Sequence, residues 1–204
     1  MSDKPTVFVV DDDEQARKSV CALARSMGVP AEAFASAEEF LAQYTPDRPG
    51  CLVTDFRLLG MNGLELHDEL VRRRIFLPFI VLTAHARTPL TVRAMQAGAI
   101  TLLDKPYADD DLWDSIGRAL AEQAARQTAE AKRCELRERL ARLTPAERRV
   151  LVLLAEGTSN KQIAYELDVS VRTVENRRRE ILGKLEAGSL VELIRLWIDS
   201  GEQA

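Results

Sequence analysis

Short apolar runs recur through the first half of the chain, and each gives way to polar residues at its end. Residues 6–10, 31–35, 51–54, 79–82 and 100–103 predict strands, because runs of this length rich in Val, Ile and Leu suit strands buried on both faces. The stretches between them predict helices over 14–27, 36–44, 63–73, 88–97 and 109–122. Gly28-Val-Pro30, Thr45-Pro46, Pro49-Gly50, Asn62-Gly63, Gly98 and Pro106 supply the breaks. Asp13 is placed to cap the first helix, and Ser36-Ala-Glu-Glu39 reads as a capping box on the second. Strands alternating with helices of this length predict a doubly wound α/β domain with a five-stranded parallel sheet.

The pattern changes after Pro106. Up to Pro145 the chain is dominated by Ala, Glu, Arg, Gln and Leu, all strong helix formers. Leu112, Ile116, Ala119 and Leu120 form one apolar face. Large apolar residues then vanish until Leu136, Leu140 and Leu143. The expectation is a fifth helix running on into a helical linker over 123–142, whose leucines serve either a coiled-coil seam or packing on the next domain. Four helices follow. Thr144 caps the first, with Pro145 at N1 and Glu147 at N3, and Gly157 ends it. Ser159 caps the second (160–167). Asp168-Val169-Ser170 makes a tight turn into a third ending near Leu185, and Leu190–Ile198 forms the last. Two short helices joined by a three-residue turn, the second one basic, predict a helix-turn-helix.

Composition is that of a globular protein, with 46% hydrophobic and 29% charged residues. No apolar run approaches a membrane span and the first residues lack a signal-peptide pattern, so a cytoplasmic protein without a membrane partner is expected. Cys21, Cys51 and Cys134 are odd in number and lack metal-ligand spacing, which fits free thiols. The net charge of −4 is uneven: residues 1–125 carry −6 and residues 126–204 carry +2. Within 170–184 stand Arg172, Arg177, Arg178, Arg179 and Lys184 against Glu175 and Glu180, a candidate phosphate-contacting surface.

The chemistry gathers at strand ends, where an open α/β sheet binds its ligands. Asp11 and Asp12 follow the first predicted strand, Asp55 the third, Thr83 the fourth and Lys105 the fifth. Three carboxylates converging in one crevice call for a hard cation, and oxygen ligands with open positions suit Mg²⁺. A hydroxyl and an ammonium beside them are what a phosphoryl group needs.

The pattern Asp-Asp, Asp, Thr-Ala, Lys-Pro over about 120 residues resembles the receiver domain of two-component response regulators, a flavodoxin-like fold. The resemblance implies that Asp55 is the phosphoacceptor and that Asp11, Asp12, Asp55 and the backbone carbonyl of Arg57 hold Mg²⁺. It gives Thr83 and Lys105 to the phosphoryl group. The text Leu-Thr-Pro-Ala-Glu-Arg-Arg-Val-Leu at 143–151, then Gly157-Thr-Ser-Asn-Lys-Gln-Ile-Ala164, Leu167, Ser170, Thr173-Val174-Glu175 and Lys184-Leu185 resembles the LuxR/FixJ class of DNA-binding domains. The whole chain is thus similar to FixJ/NarL-type response regulators, with a receiver over 1–122, a linker over 123–142 and a helix-turn-helix domain over 143–204. Position within that family implies that Glu175, Asn176 and Arg179 face base edges, and each has a matching base chemistry. Lys161, Arg172, Arg177, Arg178 and Lys184 fit phosphates, and Thr173 is also exposed on the recognition helix.

That family implies a cytoplasmic transcription regulator phosphorylated on Asp55 by a histidine kinase. It implies a homodimer linked to phosphorylation and reading double-stranded DNA. Three departures stand out. Leu102 replaces the aromatic usual three residues before the lysine. The loop Arg57-Leu-Leu-Gly-Met61 lacks the usual proline, so it is expected to be less constrained. Asn176-Arg177 stand where an apolar residue and a His are common. Two alternatives remain open. One is a phosphorylation-independent DNA-binding regulator, which Leu102 allows. The other is a Mg²⁺-dependent phosphatase with an aspartate nucleophile, which the absence of an acid two residues after Asp55 disfavours.

Overall fold

The computed structural model describes residues 4–46, 48–84 and 88–200, the side chains of 199 and 200 excepted. Five parallel strands form one sheet in the order β2-β1-β3-β4-β5. They are β1 (Thr6–Val10), β2 (Ala31–Phe34), β3 (Gly50–Asp55), β4 (Phe79–Thr83) and β5 (Thr101–Asp104). The unbroken apolar runs have a two-sided use, since successive side chains point to opposite faces. Phe8, Val10, Leu52, Phe79 and Val81 enter a core with α2 (Ala37–Gln43), α3 (Gly63–Arg72) and α4 (Thr88–Gln96). Val7, Val9, Cys51, Val53, Ile80 and Leu82 enter a second core with α1 (Glu14–Ser26) and the start of α5 (Asp109–Ala141). Leu102, half-buried and paired in register with Val81, packs on the α2–α4 side.

Local chemistry sets the helix starts. Asp13 caps α1 through Gln15 N–H at 2.8 Å. Ser36 accepts from Glu39 N–H, but Glu39 reaches back to the Ala35 N–H at 2.6 Å rather than to the cap, so the expected reciprocal box is shifted by one residue. Asn62 closes a full capping box with Glu65 on α3, a role beyond the turn expected there.

The chain divides into two compact units at Arg126 and Gln127. The division falls within the expected linker, not at its ends, because α5 is one helix of 33 residues. Leu136 and Leu140 near its end, and Leu143 just after it, are buried in the core of the second unit. That core is completed by α6 (Pro145–Ala155), α7 (Asn160–Glu166), α8 (Val171–Lys184) and α9 (Leu190–Ser200). Thr144, Ser159 and Ser170 cap α6, α7 and α8. Gly157, at φ +81°, follows the C-cap Glu156 in the left-handed conformation that glycine adopts without strain. Among the described residues, no helix is long and apolar enough to cross a membrane. Residues 1–3 and 201–204, at the ends of the expected domains, lie outside the described ones.

Candidate phosphorylation site and nucleic-acid interface

Three strand ends bring one ammonium between two buried carboxylates. Asp11 follows the end of β1 and is 2% exposed, and Asp55 ends β3 and is 7% exposed. From the end of β5, Lys105 Nζ donates to Asp11 Oδ2 and Asp55 Oδ1, each at 2.7 Å. The Lys105–Pro106 peptide is cis. The Lys105 N–H bonds the Thr83 carbonyl at 2.6 Å, which ties the lysine to β4, and the Thr83 side chain is buried beside it. Asp55 Oδ2 accepts from the Arg57 N–H at 2.5 Å, and Asp11 Oδ1 from the Asp13 N–H at 2.9 Å. Arg17 donates to the Asp11 carbonyl at 2.6 Å, a support from α1 that no strand-end pattern announces.

Burial pushes the Asp55 carboxyl above the ordinary carboxylate range, against the pull of Lys105 and the Arg57 N–H, and the neighbouring Asp11 adds to the rise. Burial also works against the Lys105 ammonium, but its two carboxylates outweigh that cost and hold it above the ordinary lysine range. The arrangement is a nucleophile-sized carboxylate in a half-dry crevice, already facing a fixed positive charge.

Two of the three expected carboxylates are joined directly. Asp11 and Asp55 meet through Lys105, whereas Asp12 is exposed and makes no hydrogen bond among the described residues. Asp11 and Asp12 both follow the last residue of β1, Val10, and Asp12 stands on the exposed side of the pair. Among the described residues no three His, Cys, Asp or Glu side chains form a ready metal cage. The donors present nevertheless fit Mg²⁺. They are carboxylates and a backbone carbonyl, all hard oxygens, and this ion is commonly held by one or two carboxylates with water and phosphate completing its shell.

Glycine 63 matters here in a way its place in an Asn-Gly pair did not announce. A Cβ on Gly63 would lie 2.5 Å from the Asp55 carbonyl oxygen and 3.0 Å from the Thr54 side chain. The bare backbone lets α3 start directly against the end of β3.

In the second unit, α8 exposes Arg172, Glu175, Asn176 and Arg179, with Arg177 and Arg178 half-exposed. Lys161 is exposed near the start of α7. No ion pair among the described residues engages these cations. Glu175, Arg178 and Lys161 line a shared hollow with Val171 and Leu190. The Thr173 hydroxyl lies 2.8 Å from Ser170 Oγ, so it takes part in the cap of α8. Lys184 is paired within the unit. Its ammonium sits 2.7 Å from both oxygens of Glu147, whose side chain is only 4% exposed. A buried carboxylate needs a partner, and Lys184, itself 35% exposed, is that partner.

A response regulator receiver domain matches residues 7–117, and the bacterial regulatory proteins of the luxR family match residues 141–197. Nodulation protein W of Bradyrhizobium diazoefficiens is 41% identical, covering 96% of this chain and 86% of its own. The transcriptional regulatory protein FixJ of Rhizobium meliloti is 40% identical over 96% of each chain. The solved response regulator StyR superposes with a TM-score of 0.84 at 42% identity, over 96% of this chain and 98% of that one. Full-length FixJ from B. japonicum covers 99% of this chain and 100% of its own, at a TM-score of 0.58 and 36% identity.

Proposed function

The chain belongs to the response regulators that join a receiver to a LuxR-family DNA-binding domain, phosphorylation-dependent regulators of transcription, and from that premise we propose that Asp55 takes the phosphoryl group. The observation that carries this is the Asp55 carboxylate at the end of β3, held by Lys105 at 2.7 Å and by the Arg57 N–H at 2.5 Å. In the proposed step an Asp55 oxygen attacks the phosphorus of a phosphohistidine on a partner kinase. The P–N bond breaks as the O–P bond forms, and the imidazole leaves. Lys105 then pairs with a phosphoryl oxygen and the Thr83 hydroxyl donates to another, so this chain contributes positioning and charge. Asp11, Asp12, Asp55 and the Arg57 carbonyl would hold Mg²⁺, which when bound supplies neutralising charge to the phosphoryl oxygens.

The DNA side of the reading places α8 in the major groove. Glu175, Asn176 and Arg179 would read bases, while Lys161, Arg172, Arg177 and Arg178 contact phosphates and Thr173 supports the cap and the backbone. Phosphorylation would pair two receivers, and the homodimer would span two half-sites in the cytoplasm.

The test is Asp55→Asn in the full chain with Mg²⁺ and acetyl phosphate, followed by phosphate-affinity electrophoresis. Wild type should acquire about one phosphoryl group and the variant none, while circular dichroism shows both folded. A variant that still incorporates label stoichiometrically overturns the assignment.

A further inference from the structure

The loop from Asp55 to Gly63 contains no proline: residues 57–61 read Arg-Leu-Leu-Gly-Met. Leu59 is 75% exposed and Gly60 has φ +89°. A loop of that composition has little intrinsic stiffness. It is nevertheless tied at its far end. The Met61 N–H donates to Glu38 Oε1 at 3.1 Å, from α2 and 23 residues away in sequence. Hydrogen bonding by the backbone N–H groups of Glu38 and Met61 and by the Ser36 hydroxyl holds the exposed Glu38 carboxyl below the ordinary carboxylate range. It stands in the first turn of α2, where the helix favours negative charge. Gly60 leaves it room: a Cβ there would lie 2.8 Å from Glu38 Oε1. The near end of the same loop donates the Arg57 N–H to Asp55 Oδ2.

We propose that Glu38 is a positioning residue for phosphoryl chemistry at Asp55: by pinning Met61 it holds the β3–α3 loop on the phosphoacceptor and slows loss of the phosphoryl group to water. This rests on Asp55 as the phosphoacceptor. In the hydrolysis concerned, water attacks phosphorus and the Asp55 oxygen–phosphorus bond breaks. The carboxylate is restored and the water proton leaves with inorganic phosphate. A loop held closed keeps the Arg57 N–H on Asp55 and narrows the approach of that water.

The experiment uses the full chain loaded with acetyl phosphate and Mg²⁺, freed of donor, with decay followed by phosphate-affinity electrophoresis. Hydrogen exchange at the Met61 amide is read in parallel. Glu38→Ala should shorten the phosphoryl half-life about two- to tenfold, the range that the net worth of one backbone hydrogen bond allows, and should speed Met61 exchange. Glu38→Gln keeps an acceptor oxygen and should keep most of the half-life and the protection. A wild-type half-life in Glu38→Ala alongside faster Met61 exchange overturns the proposal, as does an equal fall in both variants. Asp55→Asn keeps the two readings apart. If it takes up phosphate, the phosphoacceptor assignment fails; if it is inert while Glu38→Ala decays at the wild-type rate, only the role of Glu38 fails.

Discussion

At the scale of single residues, the surroundings of Asp55, the proposed phosphoacceptor, are governed by close approaches. Lys105 donates to two buried carboxyl groups at once, so Asp11 and Asp55 share one ammonium placed between them. Gly63 sets the next constraint, because any side chain there meets the Asp55 carbonyl at 2.5 Å, inside van der Waals contact. Backbone cannot swing aside as a flexible side chain does, so β3 and α3 must separate. Gly63→Ala should therefore destabilise the receiver by about 1–3 kcal/mol, the usual cost of overpacking. It should also slow phosphorylation by acetyl phosphate, because Asp55 moves with its carbonyl. Calorimetry and initial labelling rates check this, and an unchanged midpoint with an unchanged rate would show that the loop absorbs the methyl. Neither Gly63 nor Glu38 was legible beforehand for the role it plays. An Asn-Gly pair looks like a turn, and a Glu in a first helical turn looks like a helix start. Their contacts depend on how the loop closes in space. Asp11, Asp55, Thr83 and Lys105 were legible because each follows an apolar run, and parallel strands bring their carboxyl ends to one edge.

At the scale of elements, the second unit is organised by Glu147. It closes the capping box of α6, accepting from the Thr144 N–H at 2.7 Å, and it also binds Lys184 at the end of α8. One carboxylate thus fixes a helix start and the placement of the recognition helix. The capping role was legible from Thr144, Pro145 and Glu147 alone. The ion pair was not, because its partners stand 37 residues apart and a lysine ending a basic helix resembles a phosphate contact. Burial raises the Glu147 carboxyl, but Lys184 and the Thr144 donors outweigh it and hold it below the ordinary 4.5. A group lowered on folding stabilises fully above its unfolded value, and that stability is lost as pH falls through the folded one. The second unit should therefore weaken below pH 4.5, and Glu147→Gln should flatten that acid limb in calorimetric titrations. Lys184→Ala leaves a buried carboxylate unpaired. With Lys184 35% exposed, the cost should be about 2–3 kcal/mol, under the ~3–5 of a fully buried pair. The salt slope of DNA binding should not change in Lys184→Ala once folding is complete. A slope lowered by about one would return Lys184 to the phosphate contacts.

At the scale of the whole molecule, charge is separated along the chain, with −6 over residues 1–125 and +2 over 126–204. The acidic first half contributes nothing favourable to a polyanion, so the cations of the second unit must supply the attraction, and the proposed phosphate contacts lie on α7 and α8. Lys161, Arg172, Arg177 and Arg178 make four candidate phosphate contacts. One such domain would show a salt slope of about −3.6, and a pair on two half-sites about twice that. Doubling of the slope is thus a direct reading of dimerisation, separate from affinity itself. Phosphorylated wild type should bind a cognate site with the steeper slope. Unphosphorylated protein and Asp55→Asn treated with acetyl phosphate should keep the shallower one. Arg179→Ala should leave the slope unchanged in both states but cost on the order of 1–3 kcal/mol at the cognate site, with preference relaxed at one base pair. Binding measured at several salt concentrations separates these outcomes. Equal slopes and equal affinities with and without phosphate on Asp55 would mean that the receiver does not set the spacing of the DNA-binding units. An Arg179→Ala variant that still discriminates cognate from random DNA would move base reading to the other exposed side chains of α8.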